Sequence, residues 1–195
     1  MLKTLVIIIC AGLSICFVGI VANGHSKNLQ GPSIANSPIT KADAELIEAL
    51  SSVRGSVGVT DEILQRGARM IPLLLKVKGD QRPAFAALGH HLSATPTRIA
   101  PTPADVEPGK TLTMEVAALY MICAIYYNTV EFAQSPYLTD LRLPARKRDA
   151  LNTPDLIARA WQSVEEWSSR VDVTTIQKLR ERKDDPLKGS EVEFW

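Results

Sequence analysis

The sequence predicts an all-α fold, a compact helical bundle with one long Pro-rich loop, behind a separate hydrophobic N-terminal segment. Three observations support this. Apolar residues recur at helical spacing over 41–54 and 154–171, which is the period of amphipathic helices. Residues 114–127 are apolar on nearly all sides and therefore predict a buried helix. Five prolines between positions 83 and 108 exclude a long helix there.

The N-terminal residues 1–24 are typical of a signal peptide or a membrane anchor. Lys3 precedes an apolar run from Leu5 to Ala22, and a positive residue before such a run is the pattern of an export signal. Ala22 and Gly24 are small residues that fit signal-peptidase cleavage before His25. The run is also close to the length that crosses a bilayer, so residues 4–22 could instead remain as an anchor.

The cysteines indicate how the N-terminus could be modified and whether disulfides can form, and the net charge indicates the class of partner. Lipidation at Cys10 or Cys16 is a third fate of the N-terminal segment, although Ile15 is a poor residue before a lipidated Cys16. Beyond residue 25 only Cys123 remains, so no intramolecular disulfide can form there. The formal charge is +1, and without Lys3 it falls to about zero. A nucleic-acid partner is not expected, because such partners require a basic surface.

The rest of the chain divides into three parts. Residues 25–40 are polar, rich in Ser, Asn, Gly and Pro, and are typical of a flexible linker. Residues 41–185 hold enough apolar material for a single helical domain. Residues 186–195 read as a polar C-terminal tail that ends in two exposed aromatics, Phe194 and Trp195.

Capping chemistry marks the first helices. Thr40 suits the N-cap of a helix over 41–54, and the acids after Thr60 suit the first turn of a second helix. Gly67 predicts a corner, after which Pro72 lies in the first turns of a third helix, where its missing N–H costs little.

Two segments resemble HEAT-type α-helical repeats: GARMIPLLLKVKGD, with its Gly corner and early Pro, and TMEVAALYMICAIYYN at 113–128. The resemblance implies paired helices and, by analogy, a role in protein binding.

The later helices follow from the same signals. The helix over 114–127 is too short to span a bilayer and is predicted to form the core, with its Tyr hydroxyls at the rim and Asn128 as a left-handed C-cap. A further amphipathic helix begins at Asn152 or Thr153, with Pro154 in its first turn. Residues 173–183 suggest another short helix.

No catalytic residues, metal ligands or cofactor are predicted. His90 and His91 are adjacent, so they cannot chelate one metal as His at i and i+4 can. Neither Ser93 nor Cys123 has the flanking glycines of a nucleophile elbow, and an apolar setting disfavours a Cys123 thiolate.

The predicted function is that of an exported or membrane-tethered protein-interaction domain in the bacterial periplasm or cell envelope. Its expected partner is a protein. The candidate contacts are aromatic or basic residues in the Pro-rich loop of residues 92–110 and in the basic stretch of residues 142–148, or near them. They are Phe85, His90, His91, Arg98, Tyr137, Arg142, Arg146, Lys147 and Arg148. Two alternatives remain: an exported hydrolase or lipid-handling enzyme with a site around His90 and His91, and an immunity-type inhibitor of a toxic enzyme.

Overall fold

Helices account for about 54% of the residues that the computed structural model describes, which are 38–52, 58–85, 112–171 and 176–195. These residues fall within one compact unit, Pro32–Trp195. The helical majority is confirmed, and a small two-stranded sheet accompanies it. The predicted N-terminal segment 1–24, most of the linker and the loop at 92–110 lie outside the described residues.

The elements follow one another in this order: α1 (Lys41–Glu48), α2 (Val59–Arg66), α3 (Ile71–Leu75), α4 (Met114–Tyr127), β1 (Leu138–Asp140), α5 (Pro154–Ser168), α6 (Ile176–Glu181) and β2 (Val192–Phe194). Single 3₁₀ turns cover Ala49–Ser51, Gly67–Met70 and Ala145–Lys147. Within the described ranges, no helix combines the length and the apolar character needed to cross a membrane.

Helix α1 begins with a capping box. The Thr40 hydroxyl accepts the Asp43 N–H at 3.3 Å, and the Asp43 carboxylate accepts the Thr40 N–H at 2.7 Å. Thr40 is therefore confirmed as the N-cap. The α-helix ends at Glu48, earlier than predicted, and the Ser51 hydroxyl donates to the Glu48 carbonyl in the 3₁₀ turn that follows.

Asp43 also joins α1 to the next helices. Its buried carboxylate accepts hydrogen bonds from Arg66 and, at 2.5 Å, from Arg69. Burial raises the pKa of this carboxyl, but the hydrogen bonds from Thr40, Arg66 and Arg69 outweigh burial and hold its pKa well below the ordinary value of 3.8. The charged form is thus the one that the fold stabilises, and it ties α1 to α2 and to the Gly67–Met70 turn.

Gly67 forms the predicted corner between α2 and α3. Its φ is 63°, in the left-handed region that favours glycine, and it caps the C-terminus of α2. Pro72 lies in the first turn of α3, as predicted.

Helix α4 is the centre of the core. Thirteen of its residues, Met114–Tyr126, are buried, and α2, α3, α5 and α6 all pack against it. Asn128 caps it with φ 61° and donates its N–H to the Ala124 carbonyl, so the predicted left-handed cap is confirmed. The Tyr120 hydroxyl finds its expected partner in the Val130 carbonyl at 2.6 Å.

Helix α5 begins at Pro154 with Thr153 as its N-cap, which decides between the two predicted caps. Asn152 instead accepts the Leu138 N–H at 3.1 Å and so joins this region to β1. The stripe that includes Trp161 and Trp167 is buried as predicted, and α6 lies within the predicted range 173–183.

The C-terminal residues correct the prediction of a polar tail with two exposed aromatics. Strand β2 pairs antiparallel with β1, placing Leu138 opposite Phe194 and Asp140 opposite Val192. Phe194 is only 8% exposed, and its ring meets that of Tyr120 edge-on at 5.1 Å, whereas Trp195 is 48% exposed. The chain end is therefore part of the fold, because it covers one side of α4.

We predict that Phe194→Ala lowers the free energy of unfolding by about 3 kcal/mol, because it leaves a cavity against α4. The neighbouring Trp195→Ala is the comparison and should cost clearly less, about 1 kcal/mol, because about half of its surface is already in contact with solvent. Urea unfolding of both variants measures the difference. Equal effects of the two substitutions would show that β2 is not packed as described.

Candidate functional site

The described residues place six of the nine predicted contact residues, and they do not form one cluster. His90, His91 and Arg98 lie outside the described residues. Phe85 is partly buried, and its N–H donates to the Leu50 carbonyl at 2.8 Å. Tyr137 is also partly buried, and its carbonyl accepts the Trp195 N–H at 2.9 Å. The other four lie together in the segment that follows β1.

This segment, residues 141–150, is here called the basic loop. Its two ends are held at the small sheet: the Leu141 N–H donates to the Glu191 carbonyl at 2.9 Å, and the Leu151 N–H donates to the Leu138 carbonyl at 2.8 Å. Closed loops of this kind lose less entropy when they bind a partner than free chains do.

Arg142 fixes the start of the basic loop. Its guanidinium donates to Asp140 at 2.7–3.2 Å and to Asp155 at 3.2 Å. Arg159 from α5 contacts the same two acids, at 3.1 Å and 3.2 Å. The hydrogen bonds from Arg142 lower the pKa of the Asp140 carboxyl, and Asp140 in turn raises the pKa of Arg142. Arg142 is thus engaged by the protein's own carboxylates, although its side chain is 47% exposed.

Arg148 fixes the other half of the basic loop. Its Nε donates to the Leu143 carbonyl at 2.8 Å and its Nη2 to the Leu141 carbonyl at 3.1 Å. The guanidinium suits this pair of bonds, because its N–H groups point in fixed directions in one plane. Its Nη1 also lies 3.9 Å from a carboxylate oxygen of Glu193 in β2.

The remaining residues form the tip of the basic loop. Arg146 and Lys147 are exposed in the 3₁₀ turn Ala145–Lys147, and neither side chain makes an ion pair with any described residue. Leu143 beside them is 42% exposed, one of four large apolar side chains that are exposed among the described residues. The tip therefore presents two free cations and one apolar contact on a fixed backbone.

The sequence identified the four cations, but it did not show which of them are bound by the protein itself and which are free of ion pairs. The separation depends on Asp155 of α5, which pairs with Arg142, on Arg159, which contacts the same acids as Arg142, and on Glu193 from the chain end. Leu143 was not predicted as a contact residue either. Its position directly before Pro144 was a usable signal, because the residue before a proline favours extended or turn backbone and turns lie at the surface.

The predicted alternative of an enzyme with a site around His90 and His91 stays a prediction, because both residues lie outside the described residues. Cys123 is fully buried, and burial raises the pKa of its thiol, with the charge of Asp185 adding to the effect. A thiol of this kind is a weak nucleophile. The part of the chain that the structure describes holds no group of three or more His, Cys, Asp or Glu side chains placed to bind a metal ion.

Comparisons of the chain with protein-family models, with curated proteins and with solved structures returned no match. The case for a function therefore depends on the chain's own geometry.

We predict that Arg148→Ala loosens the tip of the basic loop without unfolding the protein. Backbone ¹⁵N relaxation should show order parameters for residues 143–147 falling from about 0.85 to below about 0.6, because two carbonyl contacts are lost. Arg146→Ala, which removes an exposed cation from the same loop, should leave them unchanged. Unaltered order parameters in Arg148→Ala would contradict the assigned anchoring role.

Proposed function

We propose that the chain is a protein-interaction domain, exported or membrane-tethered, which binds an acidic protein surface through the tip of the basic loop. The observation that carries the proposal is that two of the four cations of the basic loop are bound by the protein itself and the other two are not. Arg142 and Arg148 hold the loop in place, while Arg146 and Lys147 face outward beside Leu143. Anchoring of this kind supports binding, since a pre-ordered loop costs little entropy to bind.

The chemistry of the tip favours a protein over an anionic membrane. Membrane recognition by basic segments commonly uses clusters of four to eight cations. Here only Arg146 and Lys147 are free of ion pairs among the described residues of the loop, and Glu193 and Asp155 lie close behind it. Two cations around one exposed leucine suit a carboxylate-bearing protein surface with a small apolar pocket.

The scaffold and the location belong to the same proposal. The α2–α3 pair, with its Gly67 corner and early Pro72, supports a HEAT-like helix pair within an otherwise all-α bundle. The composition of residues 1–24 supports export to a bacterial periplasm or cell envelope, with residues 4–22 as the anchor if they are retained.

The test uses the full-length protein in its own cells, with a photo-crosslinking residue at position 143. We expect one covalent protein adduct, attached at an acidic segment of the partner. Its yield should fall when the ionic strength during crosslinking is raised, because salt screens the charges that bring the two surfaces together. The double variant Arg146→Glu/Lys147→Glu should reduce its yield about tenfold or more, because charge complementarity governs encounter. Mass spectrometry of the same sample reads the mature N-terminus, where a peptide starting at His25 would indicate cleavage.

Lys178→Glu/Arg182→Glu is the matched control. It changes the net charge equally, through two exposed residues in and after α6, and should leave the adduct intact. An adduct that survives reversal of Arg146 and Lys147 would refute the proposal. So would adducts to lipid alone, since these would assign the tip to a membrane.

A further inference from the structure

A cleft of about 680 Å³ opens at the start of α4, on a different set of residues from the basic loop. Its walls come from three separate parts of the chain: the turn at Lys78 and Gln81, the first residues of α4, and the α5 residues from Pro154 to Trp161. The volume lies within the range of pockets that hold small organic molecules.

Glu115 supplies a buried carboxylate to this cleft. The residue is only 6% exposed, and its two oxygens accept hydrogen bonds from the Gly79 N–H at 3.0 Å and from the Gln81 side-chain amide. These donors are neutral, and no described cation forms an ion pair with Glu115. Buried carboxylates are normally paired with a positive charge, and each oxygen here still has a lone pair available.

The nearest cation in the cleft wall is already engaged. Lys78 pairs with Glu165 of α5, with Nζ 2.7 Å and 2.8 Å from the two carboxylate oxygens. Lys78 is thus engaged by a carboxylate at the rim of the cleft, whereas Glu115 has two neutral donors and the positive end of the α4 dipole but no cation among the described residues.

Two further buried polar atoms in the cleft wall have no hydrogen-bond partner among the described residues. They are Oγ1 of Thr113 and Nε1 of Trp161, in residues that are 7% and 1% exposed. Thr113 occupies the N-cap position of α4, yet its hydroxyl makes no capping bond. A buried donor or acceptor without a partner costs free energy. Both atoms are enclosed in the cleft wall, so a ligand can partner them only after a small shift of the side chains.

We infer that this cleft binds an organic cation, an ammonium or guanidinium on an apolar body that also carries one hydrogen-bond acceptor. The cation would meet the Glu115 carboxylate and the Thr113 hydroxyl. The body would lie against Pro154, Ile157 and Ala158, the apolar cleft residues that are not fully buried. The acceptor would satisfy the Trp161 N–H.

The test uses tyramine, an aromatic ammonium with a phenolic oxygen, and its neutral counterpart tyrosol, in which a hydroxyl replaces the ammonium. Two-dimensional NMR of the full chain follows the Trp161 indole N–H, assigned by its loss in Trp161→Phe. We expect a saturable shift with tyramine at a dissociation constant of about 1 mM or lower, and binding of tyrosol at least about tenfold weaker.

Glu115→Gln should abolish the preference for tyramine, and Glu181→Gln, an exposed substitution of the same kind on α6, should keep it. The comparison of the two ligands on the unaltered protein does not depend on how well Glu115→Gln folds. Equal binding of tyramine and tyrosol, or no saturable shift, would overturn the inference. Tyramine binding that appears only after Arg98 and Lys110 are changed to Ala would also overturn it, because the chain's own cation would then be the occupant.

Discussion

Helix α4 is apolar on nearly every side, and the other described elements are arranged so that they cover it. If α4 were exposed, it would leave a large apolar surface in water. Burying each of its large apolar side chains stabilises the folded state by about 1.5–3 kcal/mol. Helices α2, α3, α5 and α6 cover most of its surface, and Phe194 from the chain end closes the side at Tyr120. Residues from both ends of the domain therefore pack against one buried helix.

The position of the basic loop follows from this arrangement. Because Phe194 packs against α4, β2 is fixed, and β2 in turn holds β1 through the Leu138–Phe194 register. The loop leaves β1 and returns to Leu138 through the Leu151 backbone bond. Arg148 then links the loop to Glu193 of the same strand. The same short sheet thus packs against the core through Phe194 and holds the ends of the basic loop.

Local chemistry made much of the helical structure predictable. Thr40 and Thr153 each begin a helix with a capping bond to the hydroxyl, and Gly67 and Asn128 each end one with a left-handed φ that these two residue types tolerate. The sheet was not predictable, since each strand has three residues and the pairing joins positions more than fifty apart in sequence. The cleft was hidden for the same reason: Gln81, Glu115 and Trp161 meet only in the folded chain.

Native-state hydrogen exchange on the unaltered protein tests most directly whether α4 organises the fold. If it does, the slowest amides of α4 exchange only through global unfolding, and their free energy of opening equals the free energy of unfolding measured with urea. The α1 amides and those of the basic loop should open at lower free energy. Amides of α4 that exchange well before global unfolding would contradict the account, because its cover could then be removed without loss of the fold.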